Sequence, residues 1–243
     1  MKLLANEFTK IKSSKAVKGV MITFLLLVVL NSLIPGIQQD SSPVAVYGFG
    51  APFVWLSHNG ASGFFLYAAI AAGMAAGEFE LGVVRNALSS GVKRGHYFLA
   101  KVTAVFGVSI VIYLGCVAVM CILKSIKTGF APDGYLYSDY GLKVLVFSAG
   151  AIITILADVA LYLFIAYLFR EAVPTFIAAI AISIVELYTQ IDGPLGIAAR
   201  SRSYFVSDNV LSQDFVRLFI PCAWILVICL AAAYMLFNVM DVE

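Results

Sequence analysis

The sequence predicts an all-α, polytopic membrane protein: six transmembrane helices, an N-terminal amphipathic interfacial helix and a short cytoplasmic helix between the second and third spans. Three observations carry this. The chain is 62% hydrophobic and only 12% charged, with a mean hydropathy of +0.97, whereas a soluble domain is about a quarter charged. Long stretches such as 61–76 and 102–123 hold no charge at all. With their flanks they reach the roughly 17 to 25 helical residues that cross a bilayer core. The remaining charges gather in short runs between these stretches. No internal repeat is visible, and one transmembrane domain is expected to cover 1–243.

Residues 1–18 carry Lys2, Lys10, Lys12, Lys15 and Lys18 against one acid, Glu7, while Leu4, Phe8 and Ile11 recur at helical spacing. An interfacial helix with its lysines towards phosphate head groups follows. A basic start before an apolar run also fits a signal peptide. That run is long, however, no small-x-small cleavage site follows it cleanly, and further spans come after, so the first span, 19–34, is expected to be retained.

After Pro35-Gly36 a loop with Tyr47, Phe49, Phe53 and Trp55 has the aromatic character of the membrane–water interface. The second span, 61–77, places Ala69, Gly73 and Gly77 four residues apart, and small residues so spaced let helices approach closely. The third span, 97–123, is longer than a bilayer needs, so its first turns project into the cytoplasm and Lys101 is expected to snorkel there. Pro132-Asp133-Gly134 signals a turn, with Tyr135, Tyr137 and Tyr140 around it as interface residues. The fourth span is 144–169. Arg170-Glu171 links it to a fifth, 172–191, with Pro174 in the first turn, where a missing donor does little harm. A polar, turn-rich outer loop over 192–217 precedes the sixth span, 218–240.

With both termini in the cytoplasm, Lys2, Lys10, Lys12, Lys15, Lys18, Arg85, Lys93, Arg94, Lys101 and Arg170 lie inside and Lys124, Lys127, Lys143, Arg200, Arg202 and Arg217 outside. This inward excess of Lys and Arg supports the orientation in the cell membrane. A net charge of +2, without a basic patch interleaved with aromatics, excludes nucleic acid as a partner and leaves the lipid membrane. Cys116, Cys121, Cys222 and Cys229 all fall in apolar runs and are expected to pack. Only His58 and His96 are present, so no metal site is expected. No G-x-x-x-x-G-K-[ST] segment exists, so the chain has no P-loop of its own.

The most informative stretch is 77–101. Phe79, Val83, Leu88 and Val92 alternate there with Glu78, Glu80, Arg85, Lys93 and Arg94, and 80–90 has helical spacing. A short amphipathic helix is expected, ended by Ser89-Ser90-Gly91, where Gly91 can adopt the left-handed stop conformation. Two acids, Asp158 and Glu186, fall inside predicted spans, where a carboxylate must face protein or water. Each is open to two roles. One is to line a pathway, relay protons or meet a cationic substrate; the other is a structural carboxyl, bonded for Asp158 to Thr154 or Tyr162. An ion-coupled carrier would use both acids. An intramembrane protease-like enzyme would draw on Glu78, Glu80, Arg85 and His96, yet such enzymes need adjacent glutamates within a span and further ligands from others. No catalytic residue is assigned.

An acid closing the second span, then Gly82, Arg85, Leu88, Gly91, Arg94, and Lys101 opening the third span resembles the permeases of ABC-2 type transporters. The nearest likeness is to small bacterial subunits for antimicrobial-peptide or lantibiotic export and immunity. The topology covers nearly the whole chain and the motif covers 78–101. The resemblance implies a coupling helix that fits a cleft on a cytoplasmic ABC ATPase, with Glu78, Glu80, Arg85, Asn86, Ser89, Gly91, Lys93 and Arg94 as the contact segment. It implies that ATP and Mg are bound by that partner and that the chain binds no cofactor of its own. It also implies a second permease subunit, in a homo- or heterodimer, and export or membrane extraction of a hydrophobic or amphipathic molecule.

Overall fold

The computed structural model describes residues 2–33, 47–51, 66–130, 137–189, 213–217 and 219–239, and every longer element among them is an α-helix. Helix α1, Lys2–Ser13, is amphipathic, and α2, Lys15–Leu33, is apolar. Ser14 separates them: its hydroxyl accepts the Val17 N–H at 3.4 Å, the bond of a helix N-cap, and the chain bends there by 61°. On α2 the buried residues Val17, Val20, Phe24 and Val28 fall at helical intervals and face α5, while Ile22, Leu26 and Leu30 point outward.

Helix α3 runs over 66–80, and its hydrogen bonds widen to i→i+5 across Ala72–Ala76. After a 63° bend comes α4, Val83–Ser89. The bend is possible because Gly82 has φ +66, in the left-handed region where a side chain is strained. Helix α4 stops where Ser89-Ser90-Gly91 was expected to stop it, with Gly91 at φ +89 and its N–H bonded to the Leu88 carbonyl.

Helix α5, Arg94–Thr128, is 35 residues long, and α6, Tyr137–Phe169, is 33. At the end of α6 Arg170 takes φ +58, an unusual conformation for a residue with a side chain, and its N–H closes the helix on the Ala166 carbonyl at 2.9 Å. Helix α7 is Ala172–Thr189, α8 is Gln213–Arg217 and α9 is Ile220–Val239.

The packed centre lies between α6 and α9, with α3 and α5 beside them. Alanines at 151, 157, 160 and 166 are fully buried on α6 and permit close approach. Gly150 belongs to the same contact, since a Cβ there would stand 2.4 Å from the Phe219 ring. Outward-facing side chains are apolar, among them Val111, Leu114, Leu145, Trp224, Val227, Ile228 and Met235. A surface of this kind is stable against hydrocarbon and not against water.

Among the described residues, three helical stretches are long and apolar enough to cross a membrane unaided: Arg94–Thr128, Val144–Phe169 and Ile220–Val239. The bent pairs α1–α2 and α3–α4 bring the number to five if each is one span, and Ala172–Ile182 is a shorter apolar helix. Of the six expected spans, those at 97–123, 144–169 and 218–240 coincide with the three long helices. Phe53, Trp55, the Pro132 turn and the 192–212 loop with Arg200, Arg202 and Asp208 lie outside the described residues.

Candidate functional site

The charged run 77–101 occupies the last turn of α3, all of α4 and the first turns of α5. Its flanks form a closed ionic ring with α1. Lys10 Nζ donates to Glu7 Oε1 at 2.8 Å and to Glu78 Oε1 at 2.9 Å. Lys101 Nζ pairs with Glu78 Oε2 at 2.7 Å and donates to Glu7 Oε2. The Tyr97 hydroxyl also donates to Glu78 Oε2, and Lys101 Nζ stands 5.7 Å from the Tyr97 ring centroid. Two ammonium groups thus alternate with two carboxylates, and the ring is neutral as a whole.

Burial makes this arrangement consequential. Lys101 is 1% exposed, Glu7 2% and Glu78 9%. An isolated charge so placed would be strongly disfavoured, and only a full complement of counter-charges makes the site tenable. Lys10, the outermost member, loses hydration, which lowers its pKa, yet its bonds to Glu7 and Glu78 outweigh that and leave the ammonium above its ordinary value. The expectation that Lys101 snorkels to the interface is corrected here. Two carboxylates hold its ammonium inside the bundle, so it need not reach water.

Against the ring lies a cluster of aromatic rings from four helices. Phe79 meets Tyr167 edge-on at 5.7 Å, Tyr97 stacks on Phe237 at 5.8 Å, and Phe98 contacts Tyr167 at 5.4 Å and Tyr234 at 5.3 Å. Such pairs add about 0.5–1.5 kcal/mol each beyond the area they bury. They join α3, α5, α6 and α9 immediately beside the charged ring.

Two more charges of the run close helix ends elsewhere. Glu80 Oε1 accepts the Ala172 N–H at 2.6 Å, placing a carboxylate at the positive N-terminus of α7. Arg94 Nη1 donates to the carbonyls of Phe237 at 3.1 Å and Asn238 at 2.9 Å, placing a cation at the negative C-terminus of α9. Between these anchors Val84 seats α4 against the bundle, while Arg85, Asn86, Ser89, Gly91 and Lys93 are exposed. The eight residues expected as one contact segment therefore divide, with Glu78, Glu80 and Arg94 held by other helices of the same chain and the remaining five on the surface.

Asp158 is 1% exposed on α6. Thr154, one turn earlier, donates its hydroxyl to the Gly150 carbonyl at 3.0 Å and accepts from Cys222 Sγ at 3.8 Å. Glu186 is on α7, and its side chain lies outside the described residues. Of the stripe Ala69, Gly73 and Gly77, Gly73 lies close to another helix: a Cβ there would stand 3.3 Å from Ala16 of α2. Cys116 and Cys222 are buried, Cys121 and Cys229 half-buried, and all four are free thiols.

The ring went unread in the sequence because its members are 94 positions apart at the extremes. A signal was present nonetheless. Glu7 is the lone acid on a basic helix, three residues from Lys10, and Glu78 and Lys101 flank predicted spans with opposite signs.

Fold and site together define a polytopic helical membrane protein whose charged loop is built into the base of its helix bundle. More narrowly, residues 3–186 match the family model described as ABC-2 family transporter protein, and the chain belongs to that family. Membership makes it a transporter's membrane subunit and implies an ABC ATPase as its partner. Comparison with curated proteins and with solved structures returned no match.

Proposed function

We propose that this chain is the permease subunit of an ATP-driven ABC-2 exporter, in which α4 is the coupling helix and its exposed residues Arg85, Asn86 and Ser89, with Gly91 and Lys93 of the turn that follows, dock on the ATPase. ATP and Mg are bound by that partner. Two permease subunits, alike or different, each with six spans and cytoplasmic termini in the cell membrane, enclose a route for a hydrophobic or amphipathic substrate, with amphipathic antimicrobial peptides as the leading class. Asp158 and Glu186 are candidates for lining that route.

The observation that carries this reading is how the α4 segment is attached. Its entry is tied to α1 through Glu78 and Lys10 and to α7 through Glu80; its exit is tied to α9 through Arg94 and again to α1 through Lys101. A push on the exposed face is therefore delivered to α1, α7 and α9 without passing through a flexible loop. Such rigid-body transmission is what alternating access requires.

The test is co-purification with a co-expressed ABC ATPase, followed by ATPase and transport assays. Arg85→Glu is expected to weaken retention of the ATPase about tenfold while the permease remains folded, tenfold corresponding to about 1.4 kcal/mol. Undiminished retention by this variant and by Lys93→Glu would overturn the docking assignment. Asp158→Asn is expected to lower transport more than assembly, and full transport by it returns Asp158 to a structural role.

A further inference from the structure

A groove of about 500 Å³ opens between the first turn of α1 and the first turns of α5. Leu3 and Leu4 of α1 and Leu99 and Thr103 of α5 form its trough, and Lys93 and His96 stand at it as well. Leu99 is 61% exposed. Lys93 and His96 are exposed too, and their side chains make no ion pair or hydrogen bond among the described residues. Neither the ionic ring nor the helix-end bonds of Glu80 and Arg94 use any of these side chains; Lys93 alone is shared with the proposed docking segment, at its end.

The level of the groove in the membrane follows from helix length. At 1.5 Å per residue, the 35 residues of α5 extend about 50 Å, against a hydrocarbon core of roughly 30 Å. The uncharged stretch 102–123 of that helix is long enough to fill the core by itself, which leaves the first turns of α5 at the level of the head groups. An apolar trough with cationic and N–H donor groups beside it, set at that level, is complementary to one kind of molecule, an amphiphile with an anionic head.

We propose that this groove holds one anionic glycerophospholipid, with its phosphate at Lys93 and His96 and an acyl chain along Leu3, Leu4 and Leu99. Lys93 supplies charge, and His96 supplies an N–H donor in either protonation state. A soluble phosphate monoester would meet the same two groups but leave the trough wet. A zwitterionic lipid would fill the trough but offset its phosphate with its own ammonium. The bound lipid joins the free end of α1 to the segment that follows α4, so it acts as a resident ligand of the permease and not as its cargo.

The experiment uses the full chain without any ATPase, so its outcome is independent of the coupling assignment. Delipidated protein is titrated with dioleoyl phosphatidylglycerol or dioleoyl phosphatidylcholine, and bound lipid is counted by native mass spectrometry. The first phosphatidylglycerol is expected to bind about fivefold more tightly than phosphatidylcholine, the ratio that corresponds to roughly 1 kcal/mol for one cation near an anionic head group. Lys93→Gln with His96→Gln should reduce the preference to under about twofold, Lys93→Arg should retain it, and Lys12→Gln, on α1 but away from the groove, should leave it unchanged. Leu99→Trp with Thr103→Trp, which fills the trough, should abolish the first binding event for both lipids. Equal affinity of the wild type for the two lipids overturns the proposal, as does a full preference in the Lys93/His96 double variant. Competition by glycerol 1-phosphate overturns it in favour of a soluble phosphate site.

Discussion

Lys93 and Lys101 are eight residues apart in one charged run, and they have opposite fates. Lys93 is exposed at the turn before α5; Lys101, two turns into that helix, is 1% exposed between two carboxylates. The difference extends to the whole segment. Glu78, Tyr97 and Lys101 are locked into the bundle, Glu80 and Arg94 close the ends of other helices, and Arg85, Asn86 and Ser89 project from the surface. A charge beside an apolar span is structural where a counter-charge or a helix end meets it, and available to a partner where none does.

The sharpest way to break this comparison is Lys101→Met. It leaves Glu7 and Glu78 buried with only the half-exposed Lys10 to balance them, and a loss of about 3–5 kcal/mol is expected, read from denaturation of the detergent-solubilised protein. Combining it with Glu7→Gln and Glu78→Gln removes the uncompensated charge and should restore much of that loss. A single variant as stable as the wild type would mean that the ring is not closed in the membrane.

Arg94→Ala removes both donors to the α9 carbonyls, and hydrogen bonds from a charged group are worth about 1.5–3 kcal/mol. Faster hydrogen exchange confined to the last turn of α9 should report it. Unchanged exchange there would free Arg94 to face a partner. Glu80→Ala removes the acceptor at the start of α7 and should cost about 0.5–2 kcal/mol, the range for loss of an N-terminal cap. Its signature is local loosening of the Ala172 end with α9 unaffected.

Arg85→Ala sits at the other extreme. A surface substitution away from any cap or ion pair is expected to change stability by less than about 0.5 kcal/mol, so any functional loss would be assignable to a partner. A large destabilisation would erase the division between anchored and available charges.

Much of the bundle was legible in the chain because lipid enforces simple rules. Uncharged stretches of the right length mark the helices at 97–123, 144–169 and 218–240, and Ser89-Ser90-Gly91 marks the end of α4 by local backbone chemistry alone. The hinge at Gly82 was less visible, since a glycine inside a helical pattern does not announce φ +66. The place of Glu7 was hidden for a related reason: spacing marks Leu4, Phe8 and Ile11 as the apolar side of an interfacial helix, and Phe8 is 47% exposed, but nothing in that spacing shows that Glu7 is 2% exposed.

The sequence by itself determined that this protein is an all-helical membrane chain, roughly where its long helices run, and that one charged segment interrupts them between the second and third spans. These follow from composition and from the length needed to cross hydrocarbon, both local properties of the chain. Only the tertiary structure decided which of that segment's charges are spent inward. Whether a carboxylate at position 78 meets water or an ammonium depends on residues 10 and 101, brought within hydrogen-bonding distance only when α1, α3 and α5 pack together.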